Sequence, residues 1–179
     1  ESKLSPDADD HTAGAKYAEW VQQDLITVSP GNDNDLTLVA DWFYELYTKH
    51  DIKLWKCGFD QRFAKEWLRR MREYGWTTDG TEETRTVVMI LQSAESLDNA
   101  LKVTESDLRR QLLNFNENPI DLWCWGNAAL KTDKYGKSLC VKQQPKGKID
   151  GAVTTIILQE MYRRNRAEFA QMIALNKRS

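Results

Sequence analysis

Apolar residues recur along this chain with two periods, and the switches between them mark out its elements. Residues 1–15 show neither period, and their acids (Asp7, Asp9, Asp10) read as a polar arm ahead of one domain over 16–179. Lys16 to Gln23 suits a short helix, and Leu25 to Val28 a short strand stopped by Ser29-Pro30-Gly31-Asn32. Asp35 can cap a helix running to about His50, with Val39, Trp42, Phe43 and Leu46 as its buried face. Ile52 to Phe59 reads as a strand, with Ile52, Leu54, Lys56 and Gly58 on one face and Lys53, Trp55, Cys57 and Phe59 on the other. Gln61 to Tyr74 is a basic helix ended by Gly75. Thr77 to Glu83 is a polar loop, and Thr86 to Leu91 a β-branched strand. Glu95 to Phe115 is a long helix striped by Leu97, Leu101, Leu108 and Leu112 and broken at Asn116 to Pro119. Ile120 to Gly126 fits either state. Ala128 to Thr132 and Lys137 to Lys142, joined by Asp133-Lys134-Tyr135-Gly136, form a β-hairpin. After a basic loop, Asp150 to about Asn176 is helical, with Val153, Ile156, Ile157 and Met161 inward. Strands alternating with helices predict an α/β layer fold.

Composition narrows the classes. At 179 residues the chain can bury one core, and seven Trp supply bulk for it. A net charge of −2 removes any whole-chain basic bias, so nucleic acid would have to meet local patches. Cys57, Cys124 and Cys140 are odd in number and lack CxxC spacing, which argues against zinc or a disulfide framework and for reduced thiols. No apolar run reaches the roughly 18 residues of a membrane span. The polar start has no signal-peptide character and no initiator Met, as in an excised piece.

Two acids stand out. Asp60 ends an apolar strand, where open α/β sheets place their ligands. Asp150 opens the last helix, where unpaired amides favour negative charge. Either could equally be a helix cap. As a pair, they suit hard divalent cations, which bring carboxylates together in phosphodiester cleavage. No His or Cys nucleophile is needed for that, and His11 and His50 read as surface residues. Six lysines (Lys131, Lys134, Lys137, Lys142, Lys146, Lys148) precede Asp150 and would suit a phosphate backbone without reading bases. A solvated hairpin explains them as well. Arg69, Arg70 and Arg72 fit a solvated helix face, and Trp123 and Trp125 fit core positions.

Several blocks, in order, resemble the nuclease part of tailed-phage and prophage large terminases. They are Trp20-Val21 with Leu25 to Gly31, then Gly58-Phe59-Asp60, then Leu97, Ala100, Leu101 and Lys102. Asn118-Pro119, Trp123, Asn127 and Thr132 to Lys137 follow, and Lys148-Ile149-Asp150-Gly151-Ala152-Val153 is similar to the family's KIDGxVA ending. Together they cover roughly residues 17 to 165.

The resemblance implies an RNase H-like fold, a mixed central sheet flanked by helices. It implies a DNA endonuclease using two Mg²⁺ or Mn²⁺ ions that cuts concatemeric viral DNA during packaging, in the cytoplasm of a bacterial host. Its partners would be double-stranded DNA, an ATPase motor domain, the small terminase subunit and the portal. Asp60 and Asp150 would be the second and third acidic ligands, with Lys134, Lys137, Lys146 and Lys148 on DNA. The chain departs from the family in three ways. The strand carrying the family's first aspartate has no counterpart here, so the chain alone is expected to cut poorly or not at all. No GxxxxGK[ST] loop occurs. Gln92 to Ser96 lacks the usual glycine. The alternatives are a non-catalytic module that binds DNA or the portal, and another RNase H-like nuclease such as a resolvase.

Overall fold

The computed structural model describes residues 14–31, 33–62, 64–81 and 83–176. Most of the predicted polar arm, with His11, lies outside the described residues. The element order is α1 (Tyr17–Gln22), α2 (Thr37–His50), β1 (Cys57–Phe59), α3 (Lys65–Glu73), β2 (Val87–Met89), α4 (Ala94–Arg109), α5 (Pro119–Gly126), β3 (Ala128–Thr132), β4 (Ser138–Lys142) and α6 (Asp150–Asn176). Among the described residues the strands form two separate pairs. β1 and β2 are parallel, with Gly58 opposite Val88, and β3 and β4 are an antiparallel hairpin with Leu130 opposite Cys140.

Side-chain alternation gives the parallel pair two buried faces, each with its own core. One holds Val87 with Ala40, Ala64, Trp67 and Met71, between the pair and helices α2 and α3. The other holds Ile90, Leu97, Leu101, Ile156, Ile157 and Met161, between the pair, α4 and α6, with Cys140 of the hairpin. Gly58 allows α6 this close: a Cβ there would stand 2.7 Å from Ile157 Cγ2 and 2.8 Å from Met161 Cγ. The hairpin is tied to α4 by Asp98, whose Oδ1 accepts the Ser138 N–H at 2.8 Å while Oδ2 accepts Lys102 Nζ at 2.6 Å. Helix α5, the stretch that fitted either state, starts on Asn118, whose Oδ1 accepts the Ile120 N–H at 2.9 Å ahead of Pro119. Its Trp123 packs with Tyr17 and Trp20 of α1, ring centroids 6.3 and 5.4 Å away.

Three sequence expectations are corrected, for one reason. Leu25–Val28 is not a strand, the strand from Ile52 shrinks to Cys57–Phe59, and the helix expected to reach Phe115 stops at Arg109. At each place a left-handed residue other than glycine closes the preceding helix: Asp24 (φ 58°), Asp51 (φ 51°) and Gln111 (φ 56°). The next amide then turns back onto that helix. Leu25 N–H reaches Trp20 O at 2.9 Å, Ile52 N–H reaches Leu46 O at 3.1 Å, and Leu112 N–H reaches Asp107 O at 2.8 Å. Leu25, Ile52 and Leu112 therefore follow helix caps, and all three are exposed. A fourth correction concerns α2, where Val39 and Trp42 are exposed and Ala40 is the buried residue.

Candidate active site

The candidate site is set by direction. α4 leaves β2 at that strand's carboxyl end, so its N-terminus lies there. α6 runs antiparallel to β1: Lys56 Nζ lies 3.9 Å from Glu168 Oε2, while Gly58 meets Ile157 and Met161, earlier in the helix. α4 and α6 are accordingly roughly parallel, with Gln159 Nε2 donating to Asp107 Oδ2 at 3.3 Å well along both. The carboxyl ends of the parallel strands and the positive ends of two long helices thus gather at one end of the domain. Such an end attracts anions.

Asp60 follows β1 on the Gly58 face. It is not a helix cap: α3 begins at Lys65, with Ala64 as its N-cap. Its Oδ2 instead accepts Gln92 Nε2 at 2.9 Å, and its Oδ1 is 3.4 Å from the Arg62 N–H. Gln92 is the functional candidate that sequence reasoning passed over. Its only signal was its place just beyond β2, level with the end of β1. Asp150 is the first residue of α6 and is exposed, while Ile149 before it is buried and starts the helix by accepting the Val153 N–H at 2.9 Å. A strand rises about 3.3 Å per residue and a helix 1.5 Å. From the contacts at Gly58, Asp60 falls level with about residue 155, leaving roughly 7 Å of helix axis to Asp150.

Lys137 pairs with Glu95 in the first turn of α4, which brings the hairpin turn toward the same end. In the turn, Asp133 Oδ1 accepts the N–H groups of Tyr135 (2.8 Å) and Lys137 (3.0 Å), and Lys134 Nζ lies 4.9 Å from the Tyr135 ring centroid. Lys134 and Lys146 are exposed, and Lys148 is half-buried two residues before Asp150. Of the expected basic helix, Arg69 and Arg70 are engaged by Glu66, Glu73 and Asp41. Cys124 and Cys140 are buried, Cys57 is half-buried, and all three are free; burial pushes the Cys57 thiol up to about 11. His50 is exposed.

The oxygen donors of Asp60 and Asp150 are of the hard kind that suits a divalent cation such as Mg²⁺ or Mn²⁺. Among the described residues no group of three or more His, Cys, Asp or Glu is placed to hold a metal ion. Likewise, no helix of the described residues is long and apolar enough to cross a membrane.

The parallel strand pair packed between helices defines a mixed α/β domain. The chain belongs to the family of terminase large subunit endonuclease domains, whose model matches residues 8–166. Its fold is that of the crystal structure of the HK97 bacteriophage large terminase, with a TM-score of 0.69 at 22% identity over 82% of this chain and 29% of that one. It is the RNase H-like fold that the resemblance implied. Protein YmfN of Escherichia coli (strain K12) is 24% identical over 151 residues, 83% of this chain and 31% of that protein. The chain therefore spans about a third of the length of these relatives.

Proposed function

We propose that this domain is the DNA-cutting part of a phage or prophage packaging enzyme, a divalent-metal-dependent endonuclease. Asp60 and Asp150 are its acidic ligands to Mg²⁺ or Mn²⁺, and Lys134, Lys137, Lys146 and Lys148 hold the DNA backbone. One observation carries the reading: β1 runs antiparallel to α6, bringing the end of the strand and the start of the helix to the same end of the domain. When bound, the ions would polarise the phosphate and lower the pKa of an attacking water. The protein's own part is to hold the carboxylates, with Gln92 fixing Asp60, and to offset phosphate charge with lysines and two helix N-termini. In the whole enzyme the cut would fall on concatemeric viral DNA in the host cytoplasm, beside the motor domain, small subunit and portal.

Two carboxylates are fewer than such sites use, so the chain alone is expected to cut slowly or not at all. Metal binding is the sharper test. Mn²⁺ titrated into the chain should bind about tenfold or more weakly to Asp60→Ala and to Asp150→Ala, while melting temperatures stay close to the parent's. Unchanged Mn²⁺ affinity in both variants would reject the reading.

The same shortage of acids favours a second reading, a non-catalytic module that holds DNA or docks the portal through its lysines. DNA binding that weakens with salt but survives EDTA and Asp60→Ala would select it.

A further inference from the structure

Helix α5 bears on the start of α6 at Gly151. A Cβ at that position would lie 2.8 Å from Asp121 Oδ1, 3.3 Å from Cys124 Cβ and 3.4 Å from Cys124 Sγ. The first distance is shorter than carbon and oxygen tolerate, so a side chain there would force the Asp121 carboxylate to turn away or the two helices to part. Cys124 is buried, and its side chain lies against the first turn of α6 at Gly151. At the other end of α5, Asn127 donates through Nδ2 to the Lys148 carbonyl at 3.3 Å, and its own carbonyl accepts the Gln143 N–H at 2.8 Å. The chain is thus fixed to α5 just before and just after Asp150. The β1 contacts with α6 come later, at Ile157 and Met161.

The exposed Asp150 carboxylate has no burial of its own to orient it. Its position is inherited from the backbone, and that backbone is shaped by what meets Gly151. We propose that α5 is the seat that sets where the Asp150 carboxylate stands relative to Asp60, with Asp121 and Cys124 as positioning residues. This rests on the reading of Asp150 as a metal ligand.

The test is Mn²⁺ affinity of the chain, measured from the spin-resonance signal of free Mn²⁺, with thermal melting recorded on each variant. Gly151→Ala should weaken binding about 10- to 100-fold, the usual range for residues that orient a ligand. Asp121→Ala combined with Gly151→Ala removes the carboxylate that the new methyl would meet, and should recover most of that loss. Cys124→Ser keeps a side-chain atom against Gly151 and should bind nearly as the parent, whereas Cys124→Ala opens a gap there and should bind more weakly. The serine–alanine pair carries the test should Gly151→Ala fail to fold. A role in packing alone would lower the melting temperature and leave affinity unmoved. Full Mn²⁺ affinity in Gly151→Ala and Cys124→Ala, with affinity lost in Asp150→Ala, would overturn the seat and leave the ligand standing. Affinity lost in Gly151→Ala and not recovered in the double variant would also overturn it, since collision would not be the cause. Full affinity in Asp150→Ala would remove the ligand reading and the seat with it.

Discussion

The α4–α6 half of the molecule closes over aliphatic side chains and fastens them with polar ties between distant segments. The α2–α3 half closes over Trp67 and Met71 and is finished by rings left partly in solvent, among them Phe43, Phe59, Tyr74 and Trp76. In the first half, Asp98 clasps the hairpin and Gln159 reaches across to Asp107. Glu160, only 1% exposed, lies under Arg163 and Arg164. Burial alone would push its carboxyl up, but the hydrogen bonds and charges of the two arginines outweigh that and hold it below the usual range. In the second half the main tie is Asp41 of α2, bonded to Arg70 Nε at 2.6 Å and Tyr74 Oη at 2.7 Å, with the Tyr44 and Tyr74 rings stacked at 4.1 Å. The candidate site is carried mostly by the first half, in which small shifts are resisted by both packing and hydrogen bonds. A site that must hold carboxylates to fractions of an ångström is best built on such a frame.

Core truncation should break the comparison most strongly. Ile156→Ala and Met71→Ala, both in fully buried positions, should each cost about 2–5 kcal/mol in urea unfolding. If the halves are separate units, amide exchange in Met71→Ala should rise in α2 and α3 while α4 and α6 stay protected. Equal loss of protection in all four helices would make them one unit.

Next in size is the Asp98 clasp. Asp98→Ala leaves the Ser138 N–H without its acceptor and should cost about 1–3 kcal/mol. The Lys102 ammonium and then the Ser138 N–H hold the Asp98 carboxyl below its ordinary value. Its contribution is therefore complete above the unfolded-state value of about 3.9 and is lost as pH falls through the lower folded value. The gap in urea midpoint between parent and Asp98→Asn should be wide at pH 6 and should close as the medium turns more acid than pH 4. A gap that widens in acid would contradict the assignment.

The corresponding tie in the other half is more exposed. Asp41→Asn should cost about 1 kcal/mol or less, and the cost should shrink with added salt. Smaller still is Trp42→Gln, which alters an exposed ring on α2 and should change stability by about 0.5 kcal/mol or less. A large loss there would mean that the second core extends onto that face. For DNA binding, Lys134→Ala and Lys146→Ala should each lower the slope of log affinity against log salt by about 0.9, with little change in melting.

The end of α3, the helix α6 and the hairpin were legible because local signals agreed with their tertiary surroundings, although α3 starts at Lys65 and not at Gln61. Asp133 and Gly136 fix the turn, and Ile156, Ile157 and Met161 fix the inward face of α6. The end of α4 was not legible, nor was the path of the chain just after α1 and α2. Asp24, Asp51 and Gln111 take the left-handed conformation without the glycine that normally announces it. The apolar residue after each then looked like the start of a strand or the continuation of a helix. At the site, Asp60 and Asp150 could be picked out in the sequence, but Gln92 and the contacts at Gly151 could not. Both depend on segments tens of residues apart becoming neighbours.

The sequence by itself determined which stretches coil, where the hairpin turns, and which acids stand at element ends, because those depend on residues close together in the chain. Only the tertiary structure decided that β1 and α6 run in opposite directions, that α4 and α6 point their N-termini to one end, and that Gln92 bonds Asp60. Those relations come from long-range packing, in which the absence of a single side chain at Gly58 sets how near a helix can lie to a strand.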